Sequence, residues 1–259
     1  MAEESHAGSW RDALMTSQFA DAWHTIVPAP DDPAGPLPPL LVALTVVTGL
    51  VDAFSYLTLG HVFTANVTGN IVFLGFALAG APGFSVAASL TAYASFAAGS
   101  LLGGRLAVMF ASHRQRLLSV AASAQVVLVA GATAVSASSG RDIGGADRYV
   151  LIFLLATAMG VQNAVARKLA VADLTTTVLT LTTTGIFADS RLVGGPGSKA
   201  GRRLTSIVAM FAGAIAGAVF VEHGQKTLAL ATALVLLAIV ALLAGRWSRH
   251  QPLRFSAPA

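Results

Sequence analysis

Hydrophobic residues in this chain fall into blocks about 20 residues long, the length an α-helix needs to cross a bilayer. Six blocks are predicted to span: about 40–59, 85–110, 117–137, 149–167, 204–221 and 228–245. Pro38 and Pro39 suit the start of the first. Two further segments are apolar but compromised. Segment 62–80 contains the polar run Thr64-Ala-Asn-Val-Thr-Gly-Asn70, and 174–188 contains Thr175, Thr176, Thr177, Thr180, Thr182, Thr183 and Thr184. Both are expected to be broken or re-entrant, because irregular backbone at membrane depth is tolerated only when protein or a polar cavity satisfies it. The fold class expected is an all-α integral membrane protein, a bundle of six to seven transmembrane helices.

Charge sharpens the picture. Residues 53 to 104 contain no Asp, Glu, Lys or Arg, and only 11% of the 259 residues are charged, against about 25% in soluble domains. The formal net charge is +4, but the basic residues sit in short clusters between apolar blocks rather than along a solvated face. That placement excludes nucleic acid as the expected partner and fits the positive-inside rule. The clusters around Arg105–Arg116, Arg167–Lys168, Arg191–Arg203 and Arg246–Arg254 all face the cytoplasm if 174–188 dips in and returns without crossing. Both termini are then inside. Residues 1–39 form an acidic, Pro-rich tail in which Trp10, Leu14, Trp23, Ile26 and Val27 could line a short amphipathic helix, with a capping box at Ser9–Asp12. Residues 40–245 form the bundle and 246–259 a basic tail. No cleavable signal peptide is expected.

The two compromised segments occupy similar places in the two halves. Gly49-Leu-Val-Asp52-Ala precedes the first and Gly160-Val-Gln-Asn163-Ala the second; Gly99-Ser-Leu-Leu-Gly103 and Gly213-Ala-Ile-Ala-Gly217 follow them. The offset moves only from 111 to 114 residues. With the extra span 117–137 between them, the two three-helix-like repeats have opposite orientation, an arrangement that transporters use to build a site from broken helices.

Few residues could carry chemistry. Asp52 lies within the first span, where an acid costs roughly 2.5–3.5 kcal/mol on insertion scales and must face protein or water. Thr45, Thr48, Ser55 and Tyr56 share its polar stripe. It could bind a cation or exchange a proton; the structural alternative is an acid bonded to hydroxyls or to a backbone break. Asn66, Thr68 and Asn70 offer donors and acceptors beside a flexible Gly69, or else cap an ordinary helix. Gln162 and Asn163 could reach a ligand or bond between helices, and Thr180 stands in the threonine-rich segment. Asp52, Asn66, Thr68, Asn70, Gln162, Asn163 and Thr180 are therefore the candidate solute or ion site. No cysteine is present and the six histidines show no metal-ligand spacing. No Gly-x-Ser-x-Gly, His-Glu-x-x-His or phosphate-loop ending occurs. No cofactor, metal or enzymatic activity is expected.

The stretch Gly49-Leu-Val-Asp52-Ala-Phe-Ser-Tyr-Leu-Thr-Leu-Gly60-His-Val-Phe-Thr64-Ala-Asn-Val-Thr68-Gly-Asn70 resembles the signature of the YoaK-like family, bacterial multi-pass membrane proteins grouped as domain of unknown function 1275. The resemblance continues through Gly160-Val-Gln-Asn163 and Thr176-Thr-Val-Leu-Thr180 to about residue 245. The family pattern carries Gly after Val-Leu-Thr, where this chain has Leu181. The resemblance implies a bacterial cytoplasmic (inner) membrane and no established activity. From the residues themselves, a small-solute or ion transporter, proton-coupled through Asp52, is the leading expectation; a non-transporting scaffold or sensor is the alternative. Expected partners are the lipid bilayer, a small solute or ion, and a second copy of the chain through its Gly-xxx-Gly faces.

Overall fold

The structure, a computed structural model, describes residues 20–28, 35–140, 142–171, 179–190, 193–194 and 200–250. Among them there are helices and no strands. A short helix α1 covers residues 20–26 and leaves Trp23, Ile26 and Val27 exposed. The rest of the expected amphipathic stripe, Trp10 and Leu14, lies outside the described residues. Then follow α2 (Leu37–Thr58), α3 (Val67–Leu78), α4 (Val86–Met109), α5 (Arg114–Ser138), α6 (Gly145–Leu169), α7 (Leu179–Ala188), α8 (Ala200–Glu222) and α9 (Lys226–His250).

Six of these, α2, α4, α5, α6, α8 and α9, are long and apolar enough to cross a membrane. Helix α3 has 12 residues and α7 has 10, about 18 Å and 15 Å of rise against a hydrocarbon core of about 30 Å. The bundle therefore has six spans and two short segments, and α7 remains helical through Leu181. Local chemistry explains several boundaries. Pro38 and Pro39 open the first turn of α2, where a missing N–H costs nothing. The Ser85 hydroxyl caps α4 by accepting from the Ala88 N–H at 3.3 Å.

Helix pairs sort the charges to two ends. At one end Arg148 reaches the carbonyl of Gly60, Lys226 that of Gly140 at 2.6 Å, and His61 that of Gly83 at 3.0 Å. At the other, Arg114 donates to the Leu169 carbonyl and Arg203 pairs with Asp189 at 2.8 Å. Arg105, Arg116, Arg167, Lys168, Arg202, Arg246 and Arg249 belong to this second end, whereas Arg148 and Lys226 are the described cations of the first. The positive-inside rule predicts that the basic end faces the cytoplasm, and it is called the cytoplasmic end below.

The halves are inverted copies. The most extensive packing is α4 against α6 and α2 against α8; α5 on α6 is matched by α9 on α2, and α3 on α4 by α7 on α8. Exchanging α2, α3, α4 and α5 for α6, α7, α8 and α9 maps this contact pattern onto itself. The mapping holds at the level of single residues. A Cβ on Gly49 would strike the backbone of Met210–Ala214, and one on Gly160 that of Phe96–Ser100. A Cβ on Gly99 would meet Thr157 and one on Gly213 would meet Val46; Gly103 abuts Val161 and Ala164, and Gly217 abuts Leu50 and Ala53. Each partner is displaced from its counterpart by the 111 or 114 residues read in the sequence.

Two expectations change as a result. The repeat contains four helices rather than three, because α5 is matched by α9. The Gly-xxx-Gly faces are consumed inside the chain, Gly99 and Gly103 on α6 and Gly213 and Gly217 on α2, so they are not free to join a second copy. Close backbone approach through small residues is the same physics in both settings; here it welds the two halves. Helices α2 and α6, the first of each half, form the centre: 67% of the residues in each apolar window are buried, against 33% or less in the other spans.

Candidate functional site

Asp52 sits one and a half turns before the end of α2, on the side opposite the cytoplasm. Its side chain is buried and three donors converge on it. Oδ1 accepts from the backbone N–H of Thr64 at 3.1 Å and of Ala65 at 2.9 Å; Oδ2 accepts from Asn66 Nδ2 at 2.5 Å. The chain leaves α2 at Leu59, turns through Gly60 (φ +79°) and His61 (φ +58°), and dips to the level of Asp52. It then climbs as α3 toward α4. Thr64 and Ala65 lie just before the N-terminus of α3, where unpaired N–H groups and the helix dipole favour a negative charge. An ionised carboxylate is acceptor-only, so its two oxygens match this donor set.

Asn70 completes the fixation from α3. Its Nδ2 donates to the Phe63 carbonyl at 2.5 Å while its Oδ1 accepts from the Phe63 N–H at 2.9 Å. Both polar groups of one irregular residue are thus satisfied by one buried amide, as non-helical backbone at this depth requires. Gly69 is needed for space, because a Cβ there would press on the Phe63 ring. Tyr56 stacks on Phe63 at 4.9 Å and packs edge-on to His61 at 5.1 Å, and Phe73 lies 5.2 Å from Phe84. This aromatic layer continues from the break toward the end opposite the cytoplasm.

One turn before Asp52, Gln162 ties α6 to α2. Its Nε2 donates to Thr48 Oγ1 at 2.8 Å and to the Leu44 carbonyl at 3.2 Å, and Thr48 in turn donates to Leu44 at 3.0 Å. Its Oε1 is buried without a partner among the described residues. Asn163, the counterpart of Asp52, donates to Met159 of its own helix at 2.9 Å. The segment that would match Thr64–Asn66, around Thr175, Thr176 and Thr177, lies outside the described residues.

The candidate residues therefore divide. Asp52, Asn66 and Asn70 meet around one backbone break, and Gln162 joins the central helices just beneath it. Thr68 is exposed on α3, and Thr180 is exposed on α7, which packs on α8. Neither has a bond to the Asp52 cluster. The Asp52 carboxylate is bonded to the backbone break that follows α2, Gln162 bonds between helices, and Asn66 donates to Asp52 instead of capping α3 through its side chain. Sequence reasoning missed Arg148, whose guanidinium reaches the Gly60 carbonyl at the end of α2. The available signal was a cation, next to Asp147, in the first turn of a span whose other basic residues, Arg167 and Lys168, stand at its far end. Among the described residues no three His, Cys, Asp or Glu side chains group as a metal site.

Comparison with known proteins gives a consistent answer. The family model described as "Protein of unknown function (DUF1275)" matches residues 40–243, from the start of α2 nearly to the end of α9. The chain is 36% identical over 150 residues to UPF0700 transmembrane protein YoaK of Bacillus subtilis (strain 168); the match covers 58% of this chain and 65% of that protein. No solved structure matches. The inverted bundle, with Asp52 and the polar run at its first break, is thus that of a multi-pass membrane protein, and the chain belongs to the DUF1275 family.

Proposed function

We propose that the protein transports a small solute or ion across a bacterial cytoplasmic membrane, with proton movement coupled through Asp52. The observation that carries the reading is the pair of inverted four-helix halves, each containing one helix too short to span. Such halves can rock about their shared seam and expose a central site to either side in turn. In this scheme the seams are α2 on α8 and α4 on α6, closed by the glycine contacts, and Gln162 ties the two central helices α2 and α6 together. Helix α3 with its preceding break is the outer moving part.

Asp52 is the latch of that part. While ionised it holds the Thr64 and Ala65 amides and the Asn66 side chain. A proton on the carboxyl converts one acceptor into a donor, sets it against those N–H groups, and frees segment 64–66. The freed amides and Asn66 then become available to a polar solute or to a cation's counter-charge.

The test uses purified protein in liposomes loaded with a pH-reporting dye and challenged with a panel of amino acids, sugars, organic acids and inorganic ions. A solute that drives proton movement with wild type and not with an equally well-folded Asp52→Asn variant supports transport. A panel without response, together with a cellular phenotype abolished by removing residues 1–39 and untouched by Asp52→Asn, favours the scaffold reading instead.

A further inference from the structure

At the cytoplasmic end the first turns of α2 and the last turns of α9 flank an open groove of about 410 Å³. Leu40, Ala43, Ile239 and Leu243 form its walls, and Arg246 and Trp247 stand at its mouth. From Ile239 to Trp247 the groove runs about 12 Å along α9, at 1.5 Å per residue. It therefore begins at the headgroup level and ends within the hydrocarbon. Arg246 is exposed and, among the described residues, makes no ion pair; Trp247 is 37% exposed and Leu243 46%.

We propose that this groove is a binding site for one anionic phospholipid of the cytoplasmic leaflet, with its phosphate on Arg246 and one acyl chain along Leu40, Ala43 and Leu243. Three observations favour this occupant. The mouth carries an uncompensated cation where anionic headgroups lie, and basic pockets between spans on this side suit such lipids. Trp247 is an amphipathic ring at the same level. The third is a break in the two-fold pattern. Helices α5 and α9 start 112 residues apart, at Arg114 and Lys226, so the matching groove between α5 and α6 at the opposite end has Gly131 for Leu243 and Leu154 for Ala43. The Leu154 side chain there lies against Gly131, 3.5 Å from where a Cβ would stand. Ala134 and Val135 replace Arg246 and Trp247. At the opposite end Leu154 packs over Gly131 and no arginine or tryptophan follows, so the cation and the indole stand only at the cytoplasmic end.

The chain has three tryptophans, so Trp10→Phe with Trp23→Phe leaves Trp247 as the only indole. This full-length protein would be placed in vesicles of phosphatidylcholine and phosphatidylglycerol, with brominated chains on one lipid or the other. The expected result is a preference of about fivefold for quenching by brominated phosphatidylglycerol over its equal mole fraction of brominated phosphatidylcholine, the contribution of one arginine near the surface. Arg246→Gln should abolish the preference, and Ala43→Phe, which fills the trough, should abolish quenching by both lipids without loss of monodispersity. Equal quenching by the two lipids, or a preference that survives Arg246→Gln, overturns the proposal. So does quenching that emerges only after removal of residues 1–19, which would make the tail the occupant. Quenching that falls as protein density rises would make it a second copy.

Discussion

Asp52 and Asn163 stand at matching positions, each one and a half turns before the end of a central helix, α2 or α6. Around them the packing is the same. Gly49 meets Met210–Ala214 as Gly160 meets Phe96–Ser100, and Gly99 and Gly213 close the same seams from the other side. The side chains differ. Asp52 is an acid that gathers two backbone amides and Asn66 from a segment 12 to 14 residues further on; the matching Asn163 is a neutral amide, one of whose bonds goes to Met159 of its own helix. The comparison separates two requirements. Close backbone approach must be kept in both halves for the bundle to assemble, but at the matched position only the first half carries an acid. The chemistry has been made asymmetric on a symmetric frame.

The largest expected effect attacks the shared part. Gly49→Leu and Gly160→Leu should each prevent recovery of a monodisperse protein in detergent, since a leucine would have to displace a neighbouring helix backbone. The milder Gly49→Ala and Gly160→Ala should each cost about 1–3 kcal/mol, equal at the two seams. Gly104→Ala, with nothing within 4 Å of its Cβ, should be silent. Thermal unfolding followed by size exclusion would read all five, and unequal losses at the two seams would break the symmetry argument.

Next comes the asymmetric part. Asp52→Ala leaves the Thr64 and Ala65 amides and Asn66 without their acceptor and should cost about 3 kcal/mol, because each buried group left unsatisfied costs about 1–3. Asn163→Ala removes a neutral amide rather than a charged acceptor and should cost less, about 1 kcal/mol. Equal costs would remove the carboxylate's charge from the account of the first break. Asn70→Ala removes both bonds to Phe63 and should fall between these, at about 2 kcal/mol, without altering the α2–α8 seam. The smallest effect concerns the bridge between halves. A double-mutant cycle of Gln162→Leu with Thr48→Val should give a coupling of about 0.6 kcal/mol. A coupling of zero would remove Gln162 from the account of how the halves are joined.

Much of the frame was legible because it rests on signals that repeat along the chain. Apolar block length marked the six spans, basic clusters ordered their ends, and the paired glycines at Gly49, Gly99, Gly160 and Gly213 gave the repeat and its offset. Helix α5 was harder: it carries no motif that resembles α9, and only three-dimensional contacts reveal the match. The Gly-xxx-Gly faces were legible as close-packing surfaces, but the pattern is identical whether the partner is another helix of the chain or another molecule. At the site, Asp52 and Asn70 were visible as polar residues in an apolar context. Their partners were not, because those partners are backbone groups of Phe63, Thr64 and Ala65, which leave no trace in residue type. An acid that binds a solute and an acid that satisfies a broken helix look alike in sequence.

The central claim is that Asp52 holds the outer break closed. Because the chain has no native cysteine, a single Ala65→Cys, at a position 3% exposed beside the carboxylate, can be labelled with a membrane-impermeant maleimide in intact cells. With Asp52 present, labelling from outside should be slow. In the Ala65→Cys, Asp52→Asn double variant it should accelerate at least about tenfold, the consequence of losing hydrogen bonds to a charged acceptor. Labelling that is equally slow with aspartate and asparagine at position 52 in folded protein would contradict the claim.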